Sequence, residues 1–254
     1  MEKKRESYNK PLINKYEIIS DFITYSIKCD ANIEENRNIM NSLAEWYGAS
    51  LLDKRLPFRR DIDVNYDKKG YYFATVKNNK PKPITTELKS CMRVVLKQDG
   101  IQNLPTEDAL FLSDDAVEYQ KHPLGITPKR INEVLDMTNR RFRFPNNSIE
   151  PTTHRSTNMK AMALTMRRLF EFCYENDSPY MVSLVNHENK QHQSAVQSLG
   201  CYPIYPYVYF SSFGLLDEDG NITKPTIWQP WIIDREGIAK FMNSIHKELI
   251  SNIV

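Results

Sequence analysis

The sequence predicts an α/β fold. Between Asn132 and Gly200 the apolar pattern changes in the order strand, helix, strand, helix. Two strands rich in β-branched residues precede this stretch and are joined by NNKPKP, a short turn-forming segment typical of an antiparallel hairpin. Two further strands and an amphipathic helix follow it. Strands that alternate with helical segments of this length are typical of α/β proteins.

The N-terminal third predicts two helices followed by the hairpin. Asn14–Lys28 carries Ile and Phe at helical spacing, and a second helical pattern covers about Asn32–Leu51. The hairpin strands are YYFATVKNN, residues 71–79, and ITTELKSCMRVVLKQ, residues 84–98.

The middle of the chain predicts a long connection and then the central elements. TEDALFL suggests a short helical turn, and residues 113–130 read as a loop with one helical piece at Ala116–Lys121. A strand is predicted over Asn132–Phe144, followed by a loop with the sequence PNNSIEPTTHRSTN. The next helix runs from about Ser156, its predicted N-cap, to Tyr174. Its predicted apolar stripe consists of Met159, Met162, Ala163, Met166, Leu169, Phe170 and Cys173, more typical of core packing than of a cofactor site.

The C-terminal third predicts a buried strand, PYMVSLVN, and a helix that Asn189 caps and Gly200 ends. A tyrosine- and proline-rich strand, an EDGN turn and a strand ITKPTIWQPWIID follow. The prolines of this last strand suggest an edge or a bulge. No linker divides the 254 residues, so a single domain is expected, with a polar tail at about 1–12 and a terminal helix at about 235–254.

Composition excludes several classes of function. A net charge of +2 argues against a dedicated nucleic-acid-binding domain, which usually carries a concentrated basic excess. Eight glycines and neither GxGxxG nor GxxxxGK[ST] disfavour dinucleotide- and P-loop-type sites. The four cysteines form no CxxC pair, which predicts no metal site and buried thiols in a reducing compartment. No secretory signal and no apolar run of about 18–20 residues occurs, so a cytoplasmic, or at most peripheral, protein without a transmembrane segment is expected.

Two short stretches resemble a known superfamily. In NKQHQSAVQSLGC, Asn189 and Leu199–Gly200 are similar to the Asn, helix and Leu-Gly pattern of GNAT acyltransferases. In Met92–Leu110, a strand with Arg followed by Leu-Pro-Thr resembles the autoinducer synthase branch, which includes long-chain N-acyl amino acid synthases. The resemblance covers roughly residues 33–215. It implies a mixed, mostly antiparallel central sheet flanked by helices in three α/β/α layers, with acyl-CoA or acyl-ACP (acyl carrier protein) as co-substrate.

The chain also departs from that superfamily. The glycine-containing pyrophosphate loop that the resemblance implies before the long helix is replaced by residues 145–158, which contain no glycine. Val196 stands where many N-acetyltransferases have a general-acid Tyr, and the Glu-x-x-Arg of lactone synthases is not reproduced on the predicted central strand.

Amide formation from a thioester needs an amine nucleophile, a route for its proton and a donor to the developing oxyanion. Carboxylates suit the amine, and arginines suit a substrate carboxylate. The predicted catalytic residues are Asp61, Asp63, Arg93, Glu107 and Arg140. The predicted acyl-carrier-binding residues are Thr138, Asn139, Arg141, His154, Arg155 and Asn189; His154 and Arg155 precede the long helix, whose N-terminus offers N–H groups to phosphate.

Each of these assignments has a structural alternative. Arg93 and Arg140 could instead pair with Asp61, Asp63 or Glu87, and a lone carboxylate is more often a solvated surface group. The basic residues Lys160, Arg167 and Arg168 could attract an acidic carrier protein or form an ordinary solvated face. His187 and His192 could contact phosphate or relay protons, or they could be capping or surface residues. Tyr202, Tyr205, Tyr207 and Tyr209 could include a leaving-group acid or serve packing.

The sequence therefore predicts an acyltransferase that moves an acyl chain from acyl-ACP or acyl-CoA to the amine of a small, amino-acid-like acceptor. A coenzyme A-dependent N-acetyltransferase and a non-catalytic interaction protein that retains the core are the alternatives.

Overall fold

The computed structural model describes residues 13–19, 21–29, 34–53, 66, 70–78, 87–98, 103–107, 144–186, 188–203, 208–217, 219 and 222–251. The chain forms two compact units. Unit 1 comprises Met1–Leu52, Phe58–Leu96 and Pro151–Glu171, and unit 2 comprises Asp53–Pro57, Lys97–Glu150 and Phe172–Val254. The expectation of a single domain stays a prediction.

The described elements of unit 1 are five strands and two helices, one helix before and one after the predicted hairpin. Its elements are β1 (Ile13–Ile19), β2 (Phe22–Lys28), α1 (Glu34–Asp53), β3 (Tyr71–Lys77), β4 (Leu88–Leu96), most of β5 (Ile149–Ser156) and most of α2 (Met159–Glu175). The strand order is β1-β2-β3-β4-β5. The first three pairings are antiparallel, so the predicted hairpin of β3 and β4 is confirmed.

The predicted helix at Asn14–Lys28 is wrong, because this stretch forms the β1–β2 hairpin. β2 lies between β1 and β3, and Phe22, Ile23 and Thr24 are all buried. The apolar residues Phe22, Ile23 and Ile27 of this strand also fall at helical spacing. For a segment this short, periodicity alone cannot distinguish a buried strand from one face of a helix. The predicted second helix is confirmed as α1.

The sheet of unit 1 packs a helix on each face. Met40 and Leu43 of α1 share a buried cluster with Tyr72 and Ala74 of β3. Alternate residues of β3 point to opposite faces, so Phe73 and Thr75 face the other side. There the Thr75 hydroxyl lies 2.8 Å from the hydroxyl of Thr165 in α2. Unit 1 therefore has the predicted helix, sheet, helix layering.

The predicted apolar stripe of α2 is only partly correct. Leu169, Phe170 and Cys173 are buried, whereas Met159 is 75% exposed. The buried face instead includes polar Thr165, whose hydroxyl also donates to the Ala161 carbonyl. Because these polar groups are hydrogen-bonded, their burial is tolerated, and a hydrophobicity pattern does not reveal it.

The N-cap of α2 is Asn158 rather than the predicted Ser156. The Asn158 side-chain oxygen accepts a hydrogen bond from the Ala161 N–H at 3.0 Å. Ser156 is the last residue of β5, and its hydroxyl contacts the Asn158 and Lys89 carbonyls.

Unit 2 contains the remaining strands and helices. These are β6 (Tyr180–Asn186), α3 (Lys190–Ser198), β7 (Tyr202–Pro203), β8 (Val208–Leu216), β9 (Ile222–Asp234) and α4 (Arg235–Ser251). The strand order is β5-β6-β9-β7, and β8 also pairs with β9. Ile149 of β5 lies opposite Met181 of β6 in a parallel pairing, whereas the pairings of β9 are antiparallel.

Strand β9 is not the edge strand that its prolines suggest. Pro230 lies opposite Leu184 of β6, while the adjacent Trp231 lies opposite Pro203 of β7, so β9 has neighbours on both sides. The sequence also allowed a bulge at these prolines. Such an irregularity occurs beside Pro225, because the register between β8 and β9 shifts between Phe210 and Gly214, the residue opposite Pro225. A residue without an N–H is tolerated where the ladder is interrupted.

The structure confirms an α/β fold with a mixed, mostly antiparallel sheet flanked by helices. It also confirms both ends of α3: Asn189 caps its start, and Gly200 follows its end with a positive φ of 88°. The four cysteines are buried free thiols. No helix among the described residues is long and apolar enough to cross a membrane.

Candidate functional site

The central strand of the candidate site is β5, which forms where the sequence predicts a loop. The strand predicted at Asn132–Phe144 lies outside the described residues except for Phe144, which is not in a strand. Ile149, Thr152 and Thr153 are β-branched and favour a strand, and they prevail over the turn signal of Pro151. The glycine-free stretch before α2 is thus mostly strand, with only Thr157 and Asn158 connecting β5 to α2.

Arg93 is a buried cation on β4, beside β5. Only 2% of its surface is exposed. Its Nε donates to the Thr152 hydroxyl at 2.8 Å, and its guanidinium lies 5.7 Å from the centre of the Tyr66 ring. Glu87, one of its proposed alternative partners, forms a 3.8 Å ion pair with Lys89. Thr152 and Tyr66 were not singled out from the sequence, because a strand-to-strand contact across 59 positions leaves no local pattern.

The structure places His154 and Arg155 in β5, whereas the sequence predicts them in a phosphate-binding loop. The Arg155 guanidinium lies 4.4 Å from the centre of the Trp46 ring in α1 and also donates to the Trp46 carbonyl. A guanidinium that stacks on an indole and binds a carbonyl is held by the protein itself. This arrangement does not support the predicted phosphate contact by Arg155.

Glu107 is a fully buried carboxylate in unit 2. Lys97 Nζ lies 2.6 Å from its Oε1 and 2.8 Å from its Oε2. Oε1 also accepts from the Phe144 N–H and Oε2 from the Leu104 N–H, each at 2.6 Å. A carboxylate has roughly four acceptor sites, and here four contacts occupy them. The geometry favours a structural role for Glu107 over the predicted role as a base.

A second buried carboxylate, Glu150, lies near the start of β5. Its oxygens accept from the Thr106 N–H at 2.9 Å and the Thr106 hydroxyl at 2.7 Å. Lys97 and Glu150 were not predicted as functional residues. The sequence does contain a sign that they are buried. Lys97 ends the apolar strand MRVVLK, and Glu150 directly follows Ile149. Such residues are rarely buried unless they are paired.

Asn189 has the capping geometry that the sequence predicts. Its side-chain oxygen accepts from the His192 N–H at 2.9 Å. His192 is half-buried, and burial lowers the pKa of its imidazole below the ordinary value. A neutral imidazole at neutral pH gives no charge with which to bind phosphate. The assignment of Asn189 to the acyl carrier stays a prediction.

Tyr202 is the one predicted acid candidate among the tyrosines whose side chain lies in the described part of the chain. Its hydroxyl lies 3.5 Å from Asp234 Oδ2, and the other Asp234 oxygen accepts from the Gly237 N–H at the start of α4. Partial burial and then the Asp234 charge raise the pKa of Tyr202 above its ordinary value. Tyr202 therefore stays protonated at neutral pH.

The basic residues predicted to attract a carrier protein do not form one exposed face. Lys160 is exposed, whereas Arg167 pairs with Glu171 at 2.9 Å. Arg168 is only 6% exposed and lies over the Phe73 ring at 5.4 Å. Of these three basic residues, only Lys160 is exposed.

Several predicted residues fall outside the described part of the chain. These are Asp61, Asp63, Thr138, Asn139, Arg140 and Arg141, together with His187, Tyr205, Tyr207 and the helical piece Ala116–Lys121. Among the residues that are described, no group of three or more His, Cys, Asp or Glu side chains is placed to hold a metal ion.

No family model matches the chain, and no curated protein matches it. Solved structures do match. FeeM, an N-acyl amino acid synthase from uncultured soil microbes, is 11% identical with a TM-score of 0.45, over 82% of this chain and 90% of its own. A probable acetyltransferase from Staphylococcus epidermidis is 7% identical with a TM-score of 0.46, over 84% and 99%. Arabidopsis thaliana NAA60, solved with acetyl-CoA, is 7% identical with a TM-score of 0.45, over 84% and 99%.

The chain is therefore similar to solved structures of an N-acyl amino acid synthase and of a probable acetyltransferase. At identities of 7–11% and TM-scores of 0.45–0.46, these similarities do not establish the family, the activity or the site residues of this chain.

Proposed function

We propose that this protein transfers an acyl chain from a thioester of coenzyme A or acyl carrier protein to the amine of a small, amino-acid-like acceptor. The observation that carries the proposal is the N-terminal turn of α2, which follows β5 after two residues. This turn contains no acidic residue and bears the exposed Lys160. The first turns of α1 and α4, by contrast, contain Glu34, Glu35 and Glu236, whereas that of α3 also lacks an acidic residue and begins with Lys190.

Acidic residues are favoured in a first turn because the helix dipole is positive there. A first turn with a lysine instead favours an anion from outside the helix. Backbone N–H groups at a helix N-terminus bind phosphate, and coenzyme A and the prosthetic group of acyl carrier protein both carry phosphates. The proposal therefore assigns this turn of α2 to the phosphates of the acyl carrier.

Arg93 supports the acceptor part of the proposal. Arg93 lies beside β5, where its Nε donates to the Thr152 hydroxyl, and a guanidinium can bind a carboxylate through two parallel N–H groups. We assign Arg93 to the carboxylate of the acceptor. Asp61, Asp63 and Arg140 are proposed to bind the acceptor amine and carboxylate, and the backbone near Thr138 is proposed to face the thioester oxygen.

The proposed reaction forms one bond and breaks one. The neutral amine attacks the thioester carbon, the C–N bond forms, and the C–S bond breaks. The electron pair leaves on sulfur, and the proton lost by the amine passes to a carboxylate and then to the thiolate. Asp61 and Asp63 are the proposed carboxylates, since the acceptor sites of Glu107 are occupied.

Thermal unfolding of the purified full chain with coenzyme A thioesters of increasing acyl length tests the proposal. Stabilisation that grows with acyl length, together with new N-acylated amines in the lipids of cells producing the protein, is the expected result. Stabilisation by acetyl-CoA alone would favour an N-acetyltransferase. No stabilisation by any thioester or by acyl carrier protein would overturn the proposal in favour of a non-catalytic protein.

A further inference from the structure

The buried pair of Lys97 and Glu107 connects parts of unit 2 that are far apart in sequence. One Glu107 oxygen accepts from the Phe144 N–H and the other from the Leu104 N–H, both at 2.6 Å. These backbone groups are separated by 40 positions along the chain but contact the same carboxylate. The segment 108–143 begins directly after Glu107 and ends directly before Phe144.

Lys97 fixes this carboxylate to the sheet. Its ammonium contacts both Glu107 oxygens, and its backbone N–H donates to the Ser148 carbonyl at 2.9 Å. Its carbonyl accepts from the Asn147 N–H at 2.7 Å. The end of β4 and the approach to β5 are therefore joined at the residue that supplies the counter-charge.

A second, separate carboxylate holds the neighbouring residue. Glu150 accepts both the N–H and the hydroxyl of Thr106. Glu150 therefore contacts Thr106, before segment 108–143, whereas Glu107 contacts Leu104 before the segment and Phe144 after it. This difference provides a matched control.

We infer that Glu107 is a positioning residue that holds both ends of segment 108–143 together, with Lys97 as its counter-ion. Bringing distant chain positions together costs conformational entropy that increases with the length between them. A charged acceptor buried away from water forms strong bonds to the two N–H groups, which offsets that cost. This role does not depend on acyl transfer and replaces the role of base predicted for Glu107.

Hydrogen exchange of individual backbone amides in the full chain tests the inference. In Glu107→Ala, the Leu104 and Phe144 amides are expected to lose protection together, each exchanging roughly tenfold faster or more. In Glu150→Gln, which leaves the Glu107 carboxylate in place, both amides should keep their protection. If Phe144 keeps its protection in a folded Glu107→Ala protein, the inference is wrong.

Glu107→Gln covers the case in which the alanine variant does not fold. A carboxamide has one acceptor oxygen, and its NH₂ group cannot accept a hydrogen bond. One of the two amides is therefore expected to lose protection while the other keeps it. Unchanged exchange at both Leu104 and Phe144 in Glu107→Gln would also overturn the inference.

Discussion

The buried ion pair between Lys97 and Glu107 should contribute strongly to the stability of unit 2. The two side chains are 6% and 0% exposed. Removing one partner leaves the other charge buried and uncompensated. We therefore expect Lys97→Met to lower the free energy of unfolding by about 3–5 kcal/mol, measured by chemical denaturation.

Lys240→Met is the matched control. Lys240 also lies 2.6 Å from a carboxylate, that of Glu236, but the two side chains are 74% and 76% exposed. Water already solvates both charges, so no measurable loss of stability is expected. Equal effects of the two substitutions would show that burial is not what makes the Lys97 contact strong.

Cys201 makes stability depend on pH in the alkaline range. Burial raises the pKa of its thiol to about 12. The folded protein therefore keeps this proton at pH values where the unfolded chain releases it, and stability falls as the pH rises. Between about pH 8 and pH 10, this thiol should lower the free energy of unfolding by about 1.4 kcal/mol.

Denaturation of the wild type and of Cys201→Ala at both pH values measures that contribution. The alanine variant should lose less stability over this interval by the stated amount. An identical pH dependence in the two proteins would mean that the thiol ionises equally well in the folded and unfolded states.

At the residue scale, local signals could be predicted from the sequence, whereas long-range partners could not. Asn189 and Gly200 have the capping roles that their chemistry predicts, because a cap depends on neighbours a few positions away. The environments of Arg93 and Glu107 depend on Thr152 and Phe144, which are 59 and 37 positions away. Residue type alone identifies Arg93 and Glu107 as candidates, whereas their roles depend on these distant groups.

At the scale of elements, the first turn of α2 is the proposed phosphate-binding site, and this can be tested by mutation. Replacing Lys160 by Glu puts a negative charge on the first turn, where the proposed phosphates bind. The dissociation constant for acyl-CoA should rise roughly fivefold, which corresponds to about 1 kcal/mol at low ionic strength. Isothermal titration calorimetry of the full chain measures this change.

Lys240→Glu controls for the change in net charge. Lys240 is an exposed helical lysine in α4, and its replacement should leave the dissociation constant unchanged. If both variants weaken binding equally, the effect comes from overall charge and the α2 turn is not the phosphate site.

The elements that were mispredicted share a physical cause. β2 has neighbours on both sides, and its apolar run resembles a helix face. In β5, Pro151 predicts a turn, whereas Thr152 and Thr153 favour a strand, and a strand forms. Periodicity and turn residues describe local preference, and in both cases pairing with neighbouring strands outweighs it. The hairpin of β3 and β4, by contrast, could be predicted because its pairing is local.

At the scale of the whole molecule, the order of elements predicted the fold better than any single motif did. The parallel pairing of β5 with β6 inside a mostly antiparallel sheet agrees with the predicted architecture. Unit 1 combines Met1–Leu52 and Phe58–Leu96 with Pro151–Glu171. The sequence could not reveal this grouping, because it arises from non-local contacts. The candidate site could be predicted only in part, because the contacts of its residues are also non-local.

The central claim is that the protein joins an acyl group to an amine. Purified full-length protein incubated with acyl-CoA or acyl-ACP and a mixture of amino acids tests it most directly, with mass spectrometry of the products. The account predicts a new N-acyl amino acid and an equal amount of released thiol, both dependent on the amine. If the folded protein neither releases thiol nor forms an amide with any donor, the claim is contradicted.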